Sequence, residues 1–410
     1  MLFERDRRGR QERDILIENE TDGEVIVEEV IIKKCNSYDY KEVEIAVFSS
    51  MDYCSALKTK EKKTGKALIK VNLLKKNVPE DAVTTHPAVV EAAVRYLQNL
   101  GWNVIIGDSP GGPFYKKRLE EIYNASGMAK VAEATGCELN YDITSVEVKN
   151  EKAEKLKAMK IIRVVTEVDL IVSIAKFKTH CMMSYTGGVK NLFGVIPGLT
   201  KAEYHFKMHT AENFADHLVD ICEYVRPDFT IIDAIEGMEG NGPSSGTSRH
   251  VGLLLAAENP YALDTVGTYI MGMDPLTVPT VQSAKRRGLF TGVLADIKIG
   301  GDDVKTIPII PFKRPDSIKK SLVSGIVPRK VEEFFIKSLR PKPIFHHEKC
   351  ISCGDCLRGC PAKIIKMKNG KPVADLEKCI SCFCCHELCP EKAIEIKVHW
   401  LHKILFGNKG

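Results

Sequence analysis

One cysteine motif occurs twice near the C-terminus and limits the possible fold more than any other feature. Four cysteines with the spacing C-x2-C-x2-C-x3-C precede a proline at 350–361, and the same spacing recurs at 379–390. The hexapeptide EKCISC begins both copies, which gives a period of 29 residues. Three closely spaced thiolates reach three irons of one cubane, and the fourth cysteine reaches the neighbouring cluster. The duplication therefore predicts two [4Fe-4S] clusters.

The spacing also assigns the ligands of each cluster. The predicted sets are Cys350, Cys353, Cys356 and Cys389 for the first cluster, and Cys379, Cys382, Cys385 and Cys360 for the second. The alternative is a pair of structural zinc sites, which usually combine two C-x2-C pairs across a longer stretch. Cys384 is an extra cysteine, interpreted as a passenger beside Cys385. Asn369-Gly370 between the repeats predicts a type I′ β-hairpin.

Composition excludes several classes of protein. Only five of the 14 cysteines lie outside the repeats, which argues against a disulfide-stabilised secreted scaffold. The net charge of +5 on 410 residues does not by itself indicate nucleic-acid binding. No apolar run is long enough to span a bilayer, and MLFERDRRGRQERD does not resemble a secretory signal. We therefore expect a cytoplasmic protein with neither a membrane span nor a nucleic-acid partner.

The chain is long enough for two or three domains. The expected division is an N-terminal hairpin extension with a turn at Asp22-Gly23, an α/β domain, a basic helical linker, a two-[4Fe-4S] ferredoxin domain and a tail, at 1–44, 45–312, 313–343, 344–397 and 398–410. We expect limited proteolysis to cut the linker, where prolines at 341 and 343 end the helical pattern.

The α/β region alternates short apolar runs with helical patterns. Predicted strands lie at 66–74, 103–109, 161–175, 229–235 and 252–257, and predicted helices at 87–100, 115–126 and 261–272. Strands separated by helices predict an α/β fold with a mainly parallel sheet flanked by helices, followed by a small α+β ferredoxin-like domain. Ligands of such sheets bind at the carboxyl ends of the strands.

Polar and glycine-rich segments follow several of these strands. The residues predicted to bind an anionic ligand are Lys70, Asn72, Gly111, Gly112, Lys178, Gly187 and Gly188. Histidines at 180, 205 and 209 occur near Lys190, and we predict catalytic roles for His180, Lys190 and His205 because a lysine offers positive charge and a histidine offers a proton. The alternative is a set of surface turns. Neither GxxxxGK[ST] nor GxGxxG follows a strand, so ATP and NAD are not predicted.

Six segments together resemble the DUF362 family of proteins of unassigned function, in the form fused to a ferredoxin module. They are KVNLL (70–74), GDSPGG (107–112), KFKTH (176–180), TGGVKNLFG (186–194), GMEGNGP (237–243) and ALDTVG (262–267). The central loop also resembles the nickel-pincer lactate racemase family, because His180 precedes YTGGVK and a Pro-Gly follows. That resemblance implies an acid/base role for His180 and a cofactor-holding role for Lys190, while the racemase motifs near the N-terminus are not recognisable here.

The sequence thus predicts an iron–sulfur protein that exchanges electrons between its clusters, a redox partner protein and a small anionic molecule in the α/β domain. One alternative is a non-catalytic electron-transfer or assembly subunit. A second is a racemase-like or isomerase-like enzyme with a regulatory cluster domain.

Overall fold

The computed structural model describes residues 28–59, 65–208, 210–302, 307–316 and 341–397. Several predictions lie outside these residues. They concern the hairpin turn at Asp22-Gly23, His209, most of the basic linker and the tail after 397. Within the described residues, no helix combines the length and the apolar character that crossing a bilayer requires.

The strands alternate with helices through most of the chain. The strands are β1 (Glu28–Lys34), β2 (Lys66–Lys70), β3 (Asn103–Gly107), β4 (Glu138–Leu139), β5 (Ser145–Lys149), β6 (Ala158–Ile162), β7 (Leu170–His180), β8 (Ser184–Thr186), β9 (Phe229–Glu239), β10 (Thr247–Ala257), β11 (Ile297–Gly301), β12 (Lys342–Phe345), β13 (Ile365–Lys368), β14 (Lys371–Ala374) and β15 (Ile394–Lys397).

The helices follow the same chain order. They are α1 (Tyr40–Met51), α2 (Ser55–Thr59), α3 (Pro87–Asn99), α4 (Lys116–Ala125), α5 (Met128–Thr135), α6 (Gly188–Asn191), α7 (Thr200–Lys207), α8 (Ala211–Val225), α9 (Pro260–Ile270), α10 (Pro279–Arg286), α11 (Asp355–Arg358) and α12 (Cys384–Leu388).

One large sheet organises the first domain. Among the described residues its order is β11-β1-β10-β9-β7-β2-β3-β4, with β8 paired to β7. Strands β9, β7, β2, β3 and β4 are mutually parallel, and β1 is parallel to β11, whereas β10 is antiparallel to both of its neighbours. The prediction of a mainly parallel sheet flanked by helices is confirmed. The carboxyl ends of β2, β3, β7 and β9 consequently meet at one edge.

Both faces of the sheet are buried, which explains why its strands are almost continuously apolar. In β2, Ala67 and Ile69 pack with α1 and α3 on one face, whereas Leu68 packs with α8 on the other. Helix α9 covers the neighbouring part of this second face, over β10 and β7. Helix α3 begins at Pro87, as the sequence predicts, and the side chain of His86 caps it by accepting the N–H of Ala88.

Strand β7 is longer than its apolar run. The sequence predicts that the strand ends at 175 and that the polar KFKTH segment follows it, but KFKTH continues β7 to His180, so the predicted end of the strand is wrong. Successive side chains of a strand point to opposite faces, so Lys176, Lys178 and His180 lie on one face of β7, and Phe177 and Thr179 lie on the other. Strand β9 likewise continues to Glu239, and it pairs with β7 as far as Met238.

The N-terminal region contributes to the same sheet. Strand β1 pairs with β10 and β11, although residues up to 44 were assigned to a separate extension. The other domain boundaries remain predictions.

The C-terminal domain is small and built around its cysteines. Strand β12 pairs with β15, and β13 pairs with β14 through an Asn369-Gly370 turn with positive φ at both residues, as a type I′ turn requires. This confirms the predicted hairpin.

Candidate functional site

A buried polar network lies at the carboxyl ends of β2 and β3. Lys70 Nζ lies 2.9 Å from Asp108 Oδ1 and donates to Asn191 Oδ1 at 3.0 Å. Asn72 donates a hydrogen bond to the same Asn191 oxygen, and the side-chain oxygen Oδ1 of Asn72 accepts one from Lys178 Nζ at 2.8 Å. The structure therefore brings together Lys70, Asn72 and Lys178, all predicted from sequence.

The two Gly-Gly segments have protein partners. Asp264 accepts the N–H groups of Gly188 and Val189 at 2.6 and 3.1 Å, so the N–H of Gly188 is already engaged. The Gly111-Gly112 segment packs against the C-terminal domain, because a Cβ on Gly111 would lie 2.9 Å from a methyl group of Leu388. Both segments thus act as close-packing points in this structure, and their ligand-binding role remains a prediction.

His180, at the end of β7, faces a carboxylate from the other domain. Its Nε2 lies 3.2 Å from Oε1 of Glu387, which lies in α12. Its Nδ1 accepts the N–H groups of Met182 and Met183, so we assign the imidazole proton to Nε2. Burial, with Lys190 nearby, lowers the pKa of His180 to about 4. We therefore assign a neutral imidazole with its proton on Nε2, the nitrogen that lies beside the carboxylate.

His205 lies behind this pair on α7. Its ring stacks on Phe214 with 4.2 Å between centroids and meets the edge of Phe193. Burial lowers the pKa of His205 to about 3, and its Nδ1 has no hydrogen-bond partner among the described residues. His217 packs on the same Phe193, and both of its ring nitrogens are similarly unpartnered. Neutral imidazoles thus form the inner wall of the site.

Lysines make the site basic. Burial lowers the pKa of Lys190, of Lys178 and of Lys201, the last to about 7. Nearby carboxylates act in the opposite direction and favour the charged lysines. Glu387 does so for Lys190, Asp108 for Lys201, and both carboxylates for Lys178. Lys190 also lies 5.7 Å from the ring centroid of Phe193. Such a cluster favours an anion.

The C-terminal domain covers this edge of the sheet. Ser244 Oγ donates to the backbone oxygen of Glu387 at 3.0 Å, and His386 Nε2 lies 3.2 Å from the backbone oxygen of Asn241. Lys75 Nζ donates to the backbone oxygen of Cys389 at 2.5 Å. Further contacts are the ion pair Arg118–Asp355 and the apolar cluster of Phe383, Ile396, Cys181 and Met182. His180 and His205 are consequently buried under the C-terminal domain.

Two cavities within the C-terminal domain are lined by cysteines. One is lined by Cys350, Cys353, Cys356 and Cys389, and the other by Cys360, Cys379, Cys382 and Cys385. These are the two groups of four that the spacing predicts, and Cys384 lines neither cavity. Among the described residues, no group of three or more His, Cys, Asp or Glu side chains is close enough together to hold a single metal ion. Four thiols around each cavity fit a cubane cluster.

Sequence reasoning missed Glu387 and Asp108. Asp108 lies within GDSPGG but was assigned no role. The cysteine spacing accounted for the loop around Glu387, so the residues between the cysteines received no attention. The repeat did contain a signal: with a period of 29, Arg358 of the first copy corresponds to Glu387 of the second, a reversal of charge.

Two family models match separate parts of the chain. The family model described as "Domain of unknown function (DUF362)" matches residues 67–269, and that described as "4Fe-4S dicluster domain" matches residues 342–390. The chain is 31% identical to the thylakoid-associated protein sll1697 of Synechocystis sp. over 269 residues, which is 64% of this chain and 81% of that protein.

Among solved structures, the lactate racemase apoprotein from Thermoanaerobacterium thermosaccharolyticum is similar, with 12% sequence identity and a TM-score of 0.35. The match covers 58% of this chain and 55% of that protein, so the chain spans little more than half the length of that structure.

Proposed function

Because this chain belongs to the DUF362 family and carries a 4Fe-4S dicluster domain, we propose that it is an iron–sulfur oxidoreductase of the cytoplasm. Two [4Fe-4S] clusters, held by the two groups of four cysteines, exchange electrons with a small anionic molecule bound by His180, Lys190 and His205. The observation that carries the proposal is the contact between His180 and Glu387, because Glu387 lies between cysteines of both clusters.

Helix α12 is a short connection between the clusters and the site. Cys385, within α12, lines the cavity of the second cysteine group. Cys389 directly follows the helix and lines the cavity of the first group, and Glu387, between these two cysteines, contacts His180. Cys384 on the same helix is close enough to affect Lys190 electrostatically. A molecule bound beside His180 would therefore lie next to the cluster domain, as electron transfer requires.

The protein groups supply binding and protons. The clusters, when bound, supply or accept single electrons. Lys190 attracts the anion, and its ammonium, whose pKa is lowered by burial, can release a proton. The neutral His180 can donate a hydrogen bond from Nε2, and the aromatic wall around His205 excludes water. Such an arrangement suits a reaction in which a proton and electrons reach the same molecule.

Electrons reach the clusters through the opposite side of the C-terminal domain. Cys353 is exposed, and Ile351 beside it is 60% exposed, whereas Cys385 and Cys379 are buried. A redox partner protein would dock over Cys353, and the electrons would then pass inward.

Anaerobic purification tests the proposal. Small molecules retained by the holoprotein are identified by mass spectrometry in wild type, His180→Gln and Lys190→Met, with Lys207→Met on the exposed side of α7 as a matched control. We expect a retained anion in wild type and in the control, its loss from the other two variants, and unchanged cluster absorbance in all. Equal retention by all four proteins would refute the assignment of the site.

The rival function is that of a non-catalytic electron-transfer subunit, and the burial of His180 and His205 in this structure favours it. That function predicts rapid electron exchange with a partner protein in the His180→Gln variant and no retained small molecule in wild type.

A further inference from the structure

The carboxylate of Glu387 lies where a ligand of the candidate site would be expected. It belongs to the C-terminal domain, it is buried, and its Oε1 faces His180 Nε2 at 3.2 Å. Despite this short separation, neither atom has a hydrogen-bond partner among the described residues. Buried polar atoms without a hydrogen bond are few in native proteins, so a facing pair of them requires an explanation.

The surroundings of the carboxylate come from the other domain. His180 Nε2 lies 3.2 Å from its Oε1, and Lys190 and His205 are close enough to act on it electrostatically. These three residues are also the ones predicted from sequence to act on an anionic molecule. The site therefore already binds a carboxylate, supplied by the chain itself.

The cysteine loop does not need a glutamate at this position. In the first repeat the corresponding residue is Arg358, which is half exposed and pairs with Asp355 of its own helix. Both loops place four cysteines around a cavity despite this difference. Glu387 is therefore explained by what it contacts in the α/β domain.

We propose that Glu387 is an internal ligand, which fills the subsite for the carboxylate group of a small organic acid while the C-terminal domain is docked. The proposal rests on the proposed function for the location of the site and adds the class of ligand. A substrate carboxylate gains access when the domain moves away and Glu387 leaves His180. Interdomain surfaces of this polar kind commonly permit such movement.

Docking itself does not depend on the side chain of Glu387. Ser244 contacts the backbone of Glu387, Lys75 contacts the backbone of Cys389, and His386 contacts the backbone of Asn241. Removing the carboxylate should therefore leave the domain in place and leave a space bounded by His180 and Lys190. That space should accept a carboxylate added from solution.

The test uses acetate and phosphate as probes on the anaerobic holoprotein. Thermal unfolding is followed at increasing acetate concentrations for wild type, Glu387→Ala, Glu387→Gln and Glu391→Ala, where Glu391 is an exposed neighbour. A ligand that binds only the folded state raises the melting temperature with its concentration. Each protein is compared with itself, so a loss of stability caused by the substitution does not affect the result.

We expect Glu387→Ala to bind acetate with an apparent Kd at least about tenfold lower than that of wild type. Glu387→Gln, whose amide still fills the space, and Glu391→Ala should behave as wild type, and adding Lys190→Met to Glu387→Ala should abolish the gain. Equal acetate responses of Glu387→Ala and wild type would overturn the proposal, and so would a gain for phosphate without one for acetate. If acetate binds as expected but His180→Gln and Lys190→Met retain the natural small molecule, the proposed function fails while this inference stands.

Discussion

Replacing Lys75 should lower the reduction potential of the cluster held partly by Cys389. Lys75 Nζ lies 2.5 Å from the backbone oxygen of Cys389, and the residue is 2% exposed. A buried ammonium normally requires a counter-charge. An anionic cluster bound through Cys389 would supply it. Added negative charge on that cluster is stabilised by Lys75, so Lys75→Met should make reduction harder.

The magnitude follows from Coulomb's law. Two unit charges about 8 Å apart, a separation of the order expected for a lysine that contacts the backbone of a ligating cysteine, interact by about 2 kcal/mol at an effective dielectric constant of about 20. For a one-electron couple, about 1.4 kcal/mol corresponds to 59 mV, so the shift is about 90 mV toward lower potential. We expect the other cluster, whose cysteines do not contact Lys75, to shift much less.

Redox titration monitored by electron paramagnetic resonance measures both potentials. The matched control is Lys76→Met, which removes the same charge from a side chain that is 60% exposed and lies 3.5 Å from Glu121. Solvent screens that charge, so the control should leave both potentials nearly unchanged. A Lys75→Met shift no larger than that of the control, or a shift toward higher potential, would refute the reasoning.

Two further predictions concern cluster content and stability. Iron and acid-labile sulfide should each approach about eight per chain. Cys384→Ser should leave both contents unchanged, whereas Cys385→Ser should lose the iron and sulfide of one cluster. Zinc without sulfide after anaerobic handling would contradict the cubane assignment. Asp108→Asn leaves the ammonium of Lys70 buried without its carboxylate, so it should lower the free energy of unfolding by about 3–5 kcal/mol, as measured by denaturant unfolding. The double variant Lys70→Met/Asp108→Leu should be closer to wild type in stability. A double variant as unstable as Asp108→Asn would contradict this account.

The elements predicted best from sequence are those fixed by local chemistry. Helix α3 begins at Pro87 because proline suits the first turn of a helix, and the Asn369-Gly370 turn forms because both residues tolerate positive φ. The grouping of cysteines around two cavities likewise follows from spacing alone. In each case the determining residues are neighbours in the sequence.

The site was only partly predictable because its contacts join distant segments. Lys70, Asn72 and Lys178 were identified from polar residues near strand ends, but their connection through Asn191 depends on how the sheet is assembled. KFKTH was placed after the end of the strand because it is polar, although a strand tolerates polar side chains when a second domain covers them. Glu387 was missed because a motif for one function explained its surroundings.

The two cysteine repeats have diverged according to what each one faces. With the period of 29 residues, the first loop has Gly354, Gly359 and the half-exposed Arg358 at the positions of Phe383, Leu388 and Glu387. The second carries Phe383 and Leu388, both buried, where Phe383 packs with residues of the α/β domain. If these positions served only to hold a cluster, the two copies would not need side chains of different size, charge and burial there. The difference therefore distinguishes an inner side, which contacts His180 through Glu387, from an outer side, where Cys353 is exposed, and the proposed passage of electrons through the domain requires two such sides.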